Sequence, residues 1–163
     1  MADQSNRREP SREGSVDLVP DLAEATSPPL CPSAQPEMQE AVAFGVVGGS
    51  VTHPLLGYLA ATQQVTEQLL RLSDPVAPTE IFRFAARCAG PACQHFDGRD
   101  CQLAKRIVEV LPLAVTQLPP CPVRPRCRWW QQEGRQACLR CPQVVTETYG
   151  PSDEVSRVAT AVR

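Results

Sequence analysis

A chain of 163 residues is long enough for one ordinary domain. Aromatics make up only 5% of it and prolines number 17, which excludes a core filled by large ring side chains as its sole means of ordering. Eight cysteines offer further cross-links, as disulfides or as metal ligands, and the formal net charge of −2 conceals an acidic beginning and a basic later half.

Residues 1–20 carry charges but no apolar stretch of the signal-peptide kind, so a secretory route is not expected and a cytoplasmic location is. The longest apolar run, residues 41–47, falls far short of the roughly 20 residues that a bilayer core needs, so no membrane association is expected. In a reducing compartment the cysteines are expected to bind metal rather than each other.

Residues 1–40 hold eight acidic residues against three arginines, with six prolines and little periodic apolar content. Such a segment buries too little to offset its chain entropy and is expected to be a disordered acidic tail, with Cys31 a bystander within it. Residues 41–76 are expected to form an apolar segment followed by an amphipathic helix. Ala41 to Ser50 carries Gly45, Gly48 and Gly49 without the Lys-Ser/Thr of a phosphate-binding loop, so it reads as a short strand and turn or as a loop. After Pro54, residues Leu55, Leu56, Leu59, Val65, Leu69, Leu70 and Leu72 recur near helical spacing, and Ser73-Asp74-Pro75 makes a stop.

Residues 79–148 are expected to form a cysteine-rich metal-binding module, and residues 149–163 a flexible tail. A second helix is expected from Thr79, burying Ile81, Phe82, Phe84 and Ala85 and delivering Cys88 at its end. A third is expected over residues 100–111, with Cys101 on its first turn, where a helix N-terminus lowers a thiol pKa. The expected fold class is therefore mostly α: a small irregular module of a few short helices, stabilised by metal and preceded by a disordered tail.

The candidate metal ligands fall in two groups. Cys88, Cys93 and Cys101 lie with His95 in one loop, where Gly90, Pro91 and Gly98 let the backbone turn around a compact object. Cys121, Cys127, Cys138 and Cys141 form the second group, in which Cys138 and Cys141 make a C-x-x-C pair. Deprotonated sulfur is what soft and borderline metals bind. The four ligands of one centre are either the second group alone or a mixture of the two. His95 is a candidate ligand completing a Cys3His set; the favoured reading makes it a loop residue hydrogen-bonded beside the metal.

Structural zinc usually takes two short knuckles, and this chain has one. Gaps of four, seven, five and ten residues separate the other thiols. The Cys141-Pro142 dipeptide resembles the Cys-Pro ending of bacterial ferredoxins, although the closely spaced cysteines of that family are absent. An iron–sulfur cluster of the 4Fe–4S type is the expected cofactor, with zinc as the alternative.

Ten positive and four negative side chains between residues 81 and 141 give this region a net charge of +6. The arginines either balance thiolates or, with Arg124, Arg126 and Arg128 beside Trp129 and Trp130, make a surface for phosphate contact and base stacking. The favoured role of the two tryptophans is to keep water from the metal. No H-E-x-x-H, nucleophile elbow or radical-SAM C-x3-C-x2-C motif is present, so catalysis is not expected. The expected function is that of an iron–sulfur accessory protein that transfers electrons, senses redox state or assists a metalloenzyme, with a protein partner. The alternative is a zinc-stabilised basic module that binds nucleic acid or an acidic protein surface.

Overall fold

The computed structural model describes residues 27–147 and 151–160. Four strands, β1 (Leu30–Ala34), β2 (Val42–Gly49), β3 (Pro54–Gln64) and β4 (Phe82–Arg87), form one sheet in the order β1-β4-β2-β3, every pair antiparallel. Helix takes 34% and strand 25%, which overturns the mostly helical expectation.

The overturned elements have physical causes. Leu55, Leu56 and Leu59 fit helical spacing, but the same stretch alternates as a strand, with Leu56 buried and Leu55 exposed. Gly57 weakens a helix there, and the turn over residues 50–53, closed by Ser50 N to His53 O at 3.2 Å and His53 N to Ser50 O at 3.1 Å, folds β3 back onto β2. Gly49, at φ 79°, makes that turn without strain. Helicity is confined to α1 (Glu67–Arg71), capped by Thr66, whose hydroxyl accepts from Leu69 N at 3.1 Å. The helix expected from Thr79 is a single turn, α2 (Pro78–Ile81), and runs directly into β4.

Strand β4 shows the period of two: Phe82, Phe84 and Ala86 face one side and Arg83 and Ala85 the other, and all five are buried. The Phe84 face packs with Ala34 and Ala43 against Leu69 and Leu70 of α1. On the other face Leu30, Phe44, Leu56 and Ala85 pack with Val123 and Cys121, so the cysteine-rich segment lies on this side of the sheet.

The segment is built on three further helices, α3 (Gln102–Val110), α4 (Arg128–Glu133) and α5 (Arg135–Cys138). The helix expected over residues 100–111 is α3, and Cys101 is its N-cap. Its buried face, Leu103, Ala104 and Ile107, packs on Trp129, Ala137 and Val158. Val158 lies in α6 (Asp153–Ala159), where Arg106 Nε donates to its carbonyl at 2.8 Å, so part of the expected C-terminal tail is docked helix. Leu30–Ala34, expected within the N-terminal tail, is a strand; residues 1–26 of that tail lie outside the described residues. No helix among the described residues is long and apolar enough to cross a membrane.

Candidate metal centres

The eight cysteines are all free thiols, and the fold sorts them into two sets of four. Cys31, Cys88, Cys93 and Cys101 line one cavity of about 350 Å³, here termed site I. Cys121, Cys127, Cys138 and Cys141 line another that closes down to about 10 Å³, here termed site II. The electrostatics divide the same way: Cys31 feels Cys101, Cys88 and Cys93, while Cys127 feels Cys141 and Cys121.

Strand β1 brings Cys31 into site I. Its alternation points Cys31 and Ser33 into the first cavity and Pro32 into the second, so one strand walls both sites. Pairing of Cys31 with Ala86 sets that register, and the chain then leaves β4 through Cys88, whose N–H donates to Pro29 O at 2.9 Å. A turn of 3₁₀ helix at Gly90–Ala92 presents Cys93, and a bridge between Phe96 and Cys101 closes the loop. Gln132 of α4 fixes Cys101 by accepting from its N–H at 2.7 Å and donating to its carbonyl at 3.0 Å.

In site II a 3₁₀ turn at Arg124–Arg126 separates Cys121 from Cys127, which is the N-cap of α4. Cys138 ends α5, and Cys141 opens the 3₁₀ turn Cys141–Gln143. The C-x-x-C pair thus spans a helix end, which turns both thiols to the same side. Phe44 and Tyr58 of the sheet form the opposite wall.

Backbone N–H groups point at the sulfurs: those of Leu103 and Ala104 at Cys101, of Trp129 and Trp130 at Cys127, of Val123 at Cys121, and of His95 at Cys93 at 3.4 Å. Each favours thiolate. Burial opposes them and wins in the protonated chain, pushing Cys31 up to about 12 and Cys121 up to about 11, and raising Cys127 and Cys138. The expectation that the helix N-terminus lowers Cys101 is overturned for the same reason: desolvation outweighs its two N–H donors.

His95 sits in the wall of site I, where Arg106 stands 3.0 Å from its Nδ1. A guanidinium only donates, so Nδ1 accepts and the ring proton of neutral His95 lies on Nε2. Burial and the Arg106 charge both depress its pKa. With Cys31 present, His95 is not needed to make up four ligands.

Sequence reasoning counted Arg83 only among the ten positive charges of residues 81–141 and did not single it out. Its side chain is wholly buried, and no carboxylate lies within ion-pair distance of it among the described residues. Nε donates to Pro32 O at 2.5 Å, Nη1 donates to Val144 O, and Nη2 lies 4.0 Å from Cys141 Sγ. The guanidinium also stands 5.8 Å from the ring centre of Phe44 and 5.6 Å from that of Trp129. The alternation Phe82-Arg83-Phe84 was the available signal, since a charge inside so apolar a strand calls for an anion nearby.

Trp129 lines both cavities and is 1% exposed, and its indole N–H has no hydrogen-bond partner among the described residues. The candidate nucleic-acid surface is differently engaged. Arg124 donates to Pro119 O and lies over Trp130, Arg126 pairs with Glu40 at 3.7 Å, and Arg128 donates to Arg99 O at 2.6 Å. A base cannot stack on an indole as buried as that of Trp129.

Among the described residues no three His, Cys, Asp or Glu side chains converge as the ligands of a single ion do; the thiols of site I instead surround a shared space. Neither a family model, nor a curated protein, nor a solved structure matches this chain.

Proposed function

We propose that this chain is an iron–sulfur protein that carries electrons, with one cluster held by Cys31, Cys88, Cys93 and Cys101 and a second by Cys121, Cys127, Cys138 and Cys141. The observation that carries the reading is the partition of all eight thiols into two sets of four, each around its own cavity. Four thiolates are the complement that a 4Fe–4S cluster takes. A cavity of about 350 Å³ among four sulfurs suits a cluster better than one tetrahedral ion, whose sulfurs crowd at about 2.3 Å from the metal. Buried N–H donors aimed at sulfur and an aromatic shell supply what tunes such a centre. The wholly buried Arg83 supports a charged site as well, because a cation without a carboxylate calls for an anionic neighbour.

A second reading gives site II a structural zinc ion, because about 10 Å³ holds little more than one atom; its four thiols would have to draw together to ligate it. A cluster there requires its walls to move apart. Anaerobic purification with metal analysis separates the readings. About eight iron per chain with broad absorption near 400 nm is expected if both sites hold clusters, and about four iron with one zinc if only site I does. Cys31→Ser is expected to remove the iron of site I and leave site II loaded. A colourless protein with neither metal, or full metal content in Cys31→Ser, overturns the assignment.

A further inference from the structure

From the side-chain donors in the wall of site I, and resting on the iron–sulfur reading of that site alone, we infer that Arg128, Trp129 and Thr146 hydrogen-bond the inorganic sulfur of the group held there and so raise its reduction potential.

Among the described residues five buried side-chain polar atoms have no hydrogen-bond partner: Arg124 Nε, Arg126 Nε, Arg128 Nε, Trp129 Nε1 and Thr146 Oγ1. Three of the five belong to residues that line the site I cavity. Buried donors rarely go unmet, so three on one wall call for acceptors inside the space they surround. Trp129 lines site II as well, but at about 10 Å³ that cavity has room for little beyond its own thiols, so its indole N–H is assigned to site I.

The donors reach the cavity separately from the ligands. The four thiols come from β1 and from residues 88–101, whereas Arg128 and Trp129 stand on the first turn of α4 and Thr146 follows the 3₁₀ turn at Cys141–Gln143. The thiols are also served already: Cys31 accepts from Ser33 N–H, Cys93 from His95 N–H at 3.4 Å, and Cys101 from the N–H groups of Leu103 and Ala104. The side-chain donors are left for acceptors that the chain does not supply. A cluster brings its own sulfides, while a single four-coordinate ion brings none.

Charge points the same way. Arg128 Nη2 donates to Arg99 O at 2.6 Å, and its guanidinium stands 5.6 Å from the ring centre of Phe96, which also lines the cavity. No carboxylate lies within ion-pair distance of Arg128 among the described residues, and Arg106 adds a second cation behind His95 at 3.0 Å. Cations and donors facing sulfur favour the more negative, reduced form, which is the direction of a raised potential.

The test uses the full chain, purified anaerobically with its iron, and takes as the site I signal the one that Cys31→Ser removes. Thr146→Val, Arg128→Met and Trp129→Phe each take away one donor and leave all eight thiols in place. Each is expected to keep the iron of site I and to lower its midpoint potential. Resonance Raman iron–sulfur bands are expected to shift on transfer of the parent protein to deuterated buffer, and to shift less in each variant, an effect that charge acting at a distance does not produce. Thr146→Ser, which keeps the hydroxyl, is expected to restore both the parent potential and the parent band shift. Parent-like deuterium sensitivity in all three variants at full iron means that the donors meet water, and overturns the inference while the iron–sulfur reading stands. Loss of iron from all three does the same, since the side chains would then hold the fold. Zinc or no metal in site I of the parent protein overturns both.

Discussion

A guanidinium sealed from water without a carboxylate is costly to keep, by several kcal/mol, unless something anionic answers it. Arg83, with no carboxylate partner among the described residues, is such a group, and its role is open to a direct test of stability. It supplies donors to Pro32 O and Val144 O and lies 4.0 Å from Cys141 Sγ, which the iron–sulfur proposal makes a thiolate in the loaded protein. Arg83→Met is expected to destabilise that form by roughly 3–5 kcal/mol, the usual cost of removing one partner from a buried charged pair. In the metal-free form the thiols are protonated and the cation has no counter-charge, so the same substitution is expected to cost much less. Denaturant unfolding of both forms under anaerobic conditions measures the difference. Equal losses would mean that the guanidinium serves only the carbonyls.

At the scale of elements, the sheet depends on how closely β2 and β3 approach. Gly45 lies where the ladder shifts register, and a Cβ there would stand 2.9 Å from Gly57 O and 2.8 Å from Leu56 Cδ1. The backbone oxygen cannot rotate away, so Gly45→Ala is expected to cost about 1–3 kcal/mol by pushing the strands apart. Thermal unfolding checks it, and a neutral result would show that β3 can yield.

How much of this was legible in the sequence varied by element. The stripe of Cys101, Ala104, Val108 and Leu111, widened by Leu103, Ile107 and Val110 ahead of Pro112, made α3 legible, because its stop is sharp; the face that is most buried is the one centred on Leu103, Ala104 and Ile107. Leu55 to Leu59 satisfied two periods at once, and only pairing with β2 decides between them. Strand β1, Leu-Cys-Pro-Ser-Ala, has almost no intrinsic strand signal; tertiary pairing with β4 makes it a strand. The same cause accounts for Cys31. Seven thiols were legible as candidate ligands from their clustering, but Cys31, read as a bystander, lies 57 positions before Cys88 and joins the wall of site I only once the sheet has formed.

For the molecule as a whole, the thiols link folding to pH. In the metal-free chain burial lifts Cys31 from 9.0 to about 12 and Cys121 from 9.0 to about 11. An unfolded chain gives up these protons first, so the folded state holds more of them and loses stability as pH rises from 9 through about 12. Metal-bound thiolates carry no such protons, and the loaded protein is expected to be flat over that window. Melting temperatures of both forms across the alkaline range test this; a metal-free protein that gains stability there contradicts it.

The alternation along β1 has a further consequence for fidelity. A slip of one position would swing Cys31 to the far side and thrust the Pro32 ring into the first cavity. Both thiol sites would then be disrupted at a stroke, the one short of a thiol and the other robbed of the Pro32 carbonyl that steadies Arg83. Five residues of unpromising composition are thus proofread twice, from opposite sides.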